Sequence, residues 1–286
     1  MTQQTLQAIG RRLPGALTRR IALGRPALTW LIPPGRRVSF DQYLGHLSVI
    51  VDTSHPIERR MLSGTYEPAL LRVIDAFVGP GDVCLDVGAN VGPLTLAMAR
   101  RVAPSGRVYA FEPSPENMDR LRRNLARNPA LDAIVTPIPV GLGAEAGTLH
   151  WVASSLDAGN GRLRRSPARA DEAVPVEVTT LDAWRAAARP APIAFMKLDV
   201  ERMELDVLLG AADLLRSDRP VILFETLPDR GVARHIERTR RLLDLLRDAG
   251  YDLFSIHRRG RRPLVGPPVS YETLAVPGGD RPPSTG

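Results

Sequence analysis

From about residue 83 to residue 276, short apolar runs alternate with longer segments whose apolar residues recur every three or four positions. The runs Val83 to Val87, Arg107 to Phe111, Ile193 to Leu198, Val221 to Phe224, Tyr251 to His257 and Tyr271 to Val276 read as buried strands. Residues 133–140 read as another, with ends blurred by Pro137 and Pro139. Helical spacing fills the gaps: residues 93–102, a segment opened by Ser114 as N-cap with Met118, Leu121 and Leu125 in one stripe, Glu204 to Leu215, and Val232 to Ala249. An earlier helix over Tyr66 to Phe77 stops at Gly79-Pro80-Gly81. Strands alternating with helices predict an α/β fold built on a doubly wound, mostly parallel, seven-stranded sheet. The last two strands have no helix between them, which predicts an antiparallel terminal strand.

Two stretches break the rhythm. Residues 142–180 are too long for a plain connection and read as an insertion, with strands near 148–152 and 174–179 flanking a Gly/Arg/Ser-rich loop over 157–170. Residues 1–63 read as an N-terminal extension that includes a strand near Leu47 to Val51, and 64–276 as the main domain. The proline- and glycine-rich tail 277–286 is expected to be disordered.

Composition narrows the function classes. The 286 residues are 44% hydrophobic and 24% charged, ordinary values for a chain that buries a sizeable core. The single cysteine, Cys84, excludes a disulfide framework and fits a reducing, cytoplasmic setting. A net charge of +7 invites a nucleic-acid partner. Against that, the arginines are scattered along the chain, Lys197 is the only lysine, and aromatics are only 5%. No nucleic acid is expected. No apolar run reaches the roughly 20 residues of a membrane span, although Leu13 to Leu31 allows a weak peripheral membrane contact.

In a doubly wound sheet the ligand lies beyond the carboxyl ends of the strands. The first strand end carries Asp86-Val87-Gly88-Ala89-Asn90-Val91-Gly92, a glycine turn entering a helix. Its G-x-x-x-G spacing lacks the G-x-G-x-x-G that cradles a dinucleotide pyrophosphate, so a nucleoside cofactor without phosphates is favoured over NAD. Glu112 ends the second strand, where a carboxylate can accept both ribose hydroxyls. A tight structural turn and an exposed acid are the plainer readings of the same residues. At the fourth strand end Lys197 and Asp199 are two apart and share a side. They form either a structural ion pair, with each other or with Glu225, or the groups that handle a substrate hydroxyl. Asp199, Glu201 and Glu225 also form a hard-oxygen set suited to Mg²⁺, the less favoured reading.

Taken together, Cys84 to Gly92, Gly106 to Pro113, Thr180-Leu181-Asp182, Phe195 to Glu201, Glu204 with Val207 to Ala211, and Pro220 to Glu225 resemble the FkbM family of S-adenosylmethionine-dependent methyltransferases, over roughly residues 64–276. The resemblance implies a class I (Rossmann-like) methyltransferase fold. It also implies O-methylation of a hydroxyl on a sugar, glycan or natural product, that is, a small-molecule or glycan acceptor. By the same resemblance Asp86, Gly88, Asn90, Gly92, Glu112 and Val140 hold S-adenosylmethionine, while the strand-end reading makes Lys197, Asp199 and Glu201 the catalytic candidates. Residues 36–66 and 142–180 would shape the acceptor pocket. Arg202 departs from the family, which commonly has glycine there. An NAD-dependent or nucleotide-sugar oxidoreductase and a non-catalytic cofactor-binding module are the alternatives, and the oligomeric state is left open.

Overall fold

The computed structural model describes residues 32–64, 66–153, 161–165, 173–226, 233–257, 260–268 and 272–279. The Leu13–Leu31 segment, residues 280–286 of the tail and most of the loop 157–170 lie outside the described residues. The chain divides into two units, Met1–Tyr66 and Glu67–Gly286.

In the first unit β1 (Arg37–Tyr43) and β2 (Leu47–Asp52) pair antiparallel and α1 (Pro56–Ser63) follows. Alternate residues of β2, Leu47, Val49 and Val51, are buried, so one face of the hairpin is apolar. Buried Thr53 accepts the Arg36 amide (2.9 Å) and donates to the Pro33 carbonyl (2.8 Å), fastening the entry of the chain to the end of β2.

The second unit runs α2 (Pro68–Phe77), β3 (Val83–Val87), α3 (Pro93–Val102), β4 (Arg107–Phe111), α4 (Pro115–Ala126), α5 (Pro129–Asp132), β5 (Val135–Ile138), β6 (Gly141–Leu142), β7 (Gly147–Ala153), β8 (Gly161–Arg164) and β9 (Ala173–Thr179). It continues with α6 (Leu181–Ala188), β10 (Ile193–Leu198), α7 (Glu204–Leu209), α8 (Ala212–Ser217), β11 (Val221–Glu225), α9 (Ala233–Asp248), β12 (Tyr251–His257), β13 (Gly260–Pro263) and β14 (Glu272–Pro277). Helices α1 to α5 each open on proline, whose fixed φ suits the first helical turn and whose missing N–H is not needed there.

The main sheet has the order β13-β12-β14-β11-β10-β3-β4-β5. Strands β5, β4, β3, β10 and β11 are parallel neighbours, and β14 lies antiparallel between β11 and β12. The strand order reverses between β3 and β10, so a crevice opens at their carboxyl ends. Strand β3 is buried along its whole length because both faces of the sheet are covered. Val83, Leu85 and Val87 join a core with Leu181 of α6, Leu205 and Leu208 of α7, Leu214 of α8 and Leu242 of α9. On the other face Asp86 meets Thr95 of α3, and Cys84 is a free, buried thiol whose burial raises its pKa.

All seven expected strands are in this sheet, with three departures from the sequence reading. An eighth strand, β13, adds to the edge, where Arg261 stacks its guanidinium over Phe77 (5.2 Å) and Phe254 (5.3 Å). The single helix expected over Glu204 to Leu215 is two helices broken at Gly210. A Cβ there would lie 2.2 Å from the Gly143 carbonyl oxygen, and the Gly210 carbonyl accepts the Asp182 amide (3.0 Å), so the break admits a close backbone approach. The strand expected over 133–140 ends at Ile138. Gly141 and Leu142 instead join the insertion, which forms its own four-stranded sheet in the order β6-β9-β7-β8.

Candidate active site

The turn after β3 is shaped by what packs against it. Gly88 has φ +81°, and a Cβ there would sit 1.8 Å from the Asp199 carbonyl oxygen, so this position excludes a side chain on two counts. The Gly88 and Ala89 amides donate to the Phe111 carbonyl at 3.0 and 2.9 Å, tying the turn to the end of β4. Asn90 is left-handed at φ +52°, and Gly92, at φ +89°, is the N-cap of α3. The buried Asn124 amide donates to the Val91 carbonyl (2.8 Å), so α4 clamps the turn from the far side.

Glu112 is buried at the end of β4, where its Oε2 accepts the Asn90 amide (2.8 Å) and its Oε1 accepts the Ser114 amide (2.9 Å). Burial pushes its pKa up to about 7, against the pull of those amides and of Lys197. The Asn117 side chain adds a third hydrogen bond to this carboxylate, which stands at the strand end where a ribose diol is held in such folds. Val140 follows β5, half-buried against the core, its amide on the Ile138 carbonyl (3.0 Å). Gly88, Asn90, Gly92 and Glu112 thus surround one turn, with Asp86 buried beneath it.

Lys197 joins this turn to the fourth strand end. Its Nζ donates to the Gly88 carbonyl (2.6 Å) and lies 3.5 Å from Asp86 Oδ1 and 3.6 Å from Asp199 Oδ2. Asp86 Oδ2 accepts the Thr95 hydroxyl (2.5 Å). Burial lowers the pKa of Lys197, but Asp199, Asp86 and Glu112 outweigh that and hold it above the ordinary value. The ammonium is therefore a permanent cation among carboxylates. Asp86 and Lys197 are both buried, whereas the Asp199 side chain is about half exposed. Only the last of the three carries a carboxylate open to a substrate.

Carboxylates gather beyond Asp199. Ligand oxygens of Asp199, Glu204 and Glu225 lie within 4.8 Å of one another, close enough to share a cation. The third member is Glu204, not the Glu201 expected from the sequence. Glu201 is exposed and sits in left-handed backbone at φ +53°, whereas Glu204 is buried in the first turn of α7 and accepts the Val200 and Arg202 amides at 3.1 and 3.2 Å. Glu225 stands opposite Glu272 across the β11–β14 ladder. Burial first, and the neighbouring acids second, raise Glu225 to about 8 and Glu272 to about 9; burial raises Glu204 to about 7. Glu272 was not legible as a site residue, because only the antiparallel register brings it beside Glu225. Glu204 could have been found from its match to the family motif.

Arg202 has φ +82°, the backbone region that favours the glycine common in the family at this position. It lines a cleft with Glu204, Glu225, Thr226, His235 and Arg238. His235 and Arg238 were not singled out by spacing, since their relation to Arg202 comes from packing of α9 beside α7.

Comparison with known proteins identifies the family. Residues 86–253 match the model of the methyltransferase FkbM domain. The chain is 32% identical over 201 residues to the methyltransferase sdnD of Sordaria araneosa, covering 59% of this chain and 73% of that protein. It is 29% identical over 157 residues to the hexuronic acid methyltransferase AglP of Haloferax volcanii, covering 55% of this chain and 61% of that one. A crystal structure of an FkbM methyltransferase from Methylobacillus flagellatus aligns over 91% of this chain and 60% of that one, at 16% identity and a TM-score of 0.46. The doubly wound sheet with β14 inserted antiparallel is the class I methyltransferase arrangement, and the matched segment runs from Asp86 in β3 to Leu253 in β12. This chain belongs to the FkbM methyltransferase family.

Proposed function

We propose that the chain transfers the methyl group of S-adenosylmethionine to a hydroxyl of a sugar, glycan or natural product. The observation that carries this reading is the junction at Lys197, where one ammonium is shared by the glycine turn, Asp86 and Asp199. It couples the half of the site suited to a nucleoside to the carboxylate open to an acceptor. Names of relatives support the acceptor class: AglP is named for a hexuronic acid.

On this reading Gly88, Asn90 and Gly92 hold the cofactor's methionine part, Glu112 its ribose, and Val140 the adenine edge. The cofactor supplies an electrophilic methyl on a cationic sulfur. Asp199, Asp86 and Glu112 act on the one lysine, with Glu225 and Glu272 also facing it, and acids gathered around a single cation suit a cationic ligand. Asp199 accepts the acceptor hydroxyl's proton as the methyl moves, an assistance worth about 10²–10⁴-fold. Glu225, with a carboxylate oxygen within 4.8 Å of that of Asp199, is placed to share that proton. Alignment of oxygen, methyl and sulfur supplies the rest of the rate.

Isothermal titration should show binding of S-adenosylmethionine and S-adenosylhomocysteine and little affinity for NAD; the reverse order would overturn the proposal. With a panel of hydroxylated acceptors and labelled cofactor, Asp199→Asn should lower turnover at least a hundredfold while cofactor affinity stays nearly unchanged. Loss of cofactor binding or of folding in that variant would make Asp199 a structural partner of Lys197 instead.

A further inference from the structure

Glu201 and Arg202 are consecutive non-glycine residues in left-handed backbone, at φ +53° and +82°. Such strain persists where the surroundings hold it in place, and it collects at sites where a side chain has work to do. The Arg202 side chain lies in the cleft described above. Its Nη1 is 2.9 Å from His235 Nε2 and 3.4 Å from Nδ1. Among the described residues no carboxylate is within ion-pair distance of this guanidinium, and its Nε and Nη2 have no hydrogen-bond partner. Arg238, one turn along α9 from His235, does have a carboxylate, Asp206, and its Nη2 also reaches the Arg202 carbonyl (3.4 Å). The cleft therefore has two unlike sides. Glu204 and Glu225 form the acidic side, against Asp199, and Arg202 and Arg238 form a basic one, with His235 accepting from Arg202 Nη1.

We propose that Arg202, flanked by His235 and Arg238, binds an oxyanion, carboxylate or phosphate, carried by the acceptor. The assignment rests on the methyl-transfer reading and names the acceptor's chemical class. A guanidinium with an open planar fork is matched to two oxygens of such a group, and hydrogen bonds to a charged partner are the strong ones. The acceptor is then held at two points, its anion on Arg202 and its hydroxyl toward the carboxylates of Asp199 and Glu225. A neutral sugar offers only the second.

The test is isothermal titration of glucuronate, glucose 6-phosphate and glucose into the protein saturated with S-adenosylhomocysteine, for wild type and Arg202→Gly. At least one of the two anionic sugars should bind wild type tenfold or more tightly than glucose, and which of them does so separates carboxylate from phosphate. Arg202→Gly should bring it to within about twofold of glucose. Glycine suits the left-handed backbone, so the variant should melt no lower than wild type. Arg202→Asn, which tolerates the same backbone without a charge, should behave alike. Absence of an anion preference in wild type, including no binding of any of the three, would overturn the assignment. So would a preference that survives both substitutions. The preliminary titration of S-adenosylhomocysteine keeps the two readings apart. If it does not bind, the methyl-transfer reading fails; if it binds and no anion preference follows, only the role of Arg202 fails.

Discussion

Gly88→Ala is the substitution for which the structure gives the most direct magnitude. The new Cβ would lie 1.8 Å from the Asp199 carbonyl oxygen and 2.9 Å from its carbon, and real Cβ contacts stay beyond 3.0 Å. The obstacle is backbone at the end of β10, so it cannot turn aside as a side chain would. Moving that oxygen from 1.8 to at least 3.0 Å requires a retreat of about 1.2 Å. Such a shift strains the Asp199 amide on the Val87 carbonyl (3.0 Å) and the Lys197 bond to the Gly88 carbonyl (2.6 Å). Left-handed backbone adds about 1–2 kcal/mol for an alanine, and overpacking of this kind about 1–3 kcal/mol. The total, roughly 2–5 kcal/mol, corresponds to a fall in Tm of about 3–8 °C for a chain of this size. Calorimetry of Gly88→Ala beside Gly147→Ala makes the comparison clean, because a Cβ at Gly147 meets nothing within 4 Å. Gly147→Ala should stay within about 0.5 kcal/mol of wild type. A Gly88→Ala protein that melts within 2 °C of wild type, or that binds S-adenosylhomocysteine with unchanged affinity, would refute the account of the turn.

Three further outcomes are expected. Glu112, Glu204, Glu225 and Glu272 hold their protons more tightly when folded, near 7, 7, 8 and 9, than at the ordinary value of 4.5. Their contribution to stability is therefore complete below about pH 4.5 and is lost as pH rises through 7 to 9. Calorimetry should show Tm falling across that window and Glu225→Gln flattening part of the fall; a Tm that rises there contradicts the burial argument. Because the cofactor is cationic at sulfur and its demethylated product is not, titrations at pH 7.5 in buffers of different ionisation enthalpy should show more proton release with the former. Equal release would mean that the carboxylates do not face the sulfur. Transfer should persist in EDTA, since Lys197 already supplies a cation among these acids; a loss restored by Mg²⁺ would convert Asp199, Glu204 and Glu225 into a metal site.

The sheet was readable from the sequence because its strands are apolar runs bounded by glycine and proline. Val83–Val87, Arg107–Phe111, Ile193–Leu198 and Tyr251–His257 have the same ends in both readings. What escaped depended on contacts between distant segments. Gly210 breaks a helix because Gly143, in the insertion, comes against it, and no local periodicity records that approach. β13 is stapled by Arg261 between two phenylalanines far apart in sequence. In the candidate site the strand-end residues Asp86, Gly88, Asn90, Gly92, Glu112, Lys197 and Asp199 were legible because strand ends converge by topology. Glu204 in place of Glu201 depended on backbone angles, with two left-handed residues turning the chain before α7. Glu272 depended on a register across antiparallel strands.

Lys197 has a consequence apart from chemistry. The chain's other cationic side chains are arginines and a few histidines, so a protein grown on ¹³C,¹⁵N-lysine carries one labelled side chain, and it lies at the junction of the glycine turn and Asp199. A single Cε–Nζ correlation would then follow the site through cofactor binding, acceptor binding and titration, with no assignment to be made. The sequence has placed its own isolated spectroscopic channel at the one position where both halves of the site are felt.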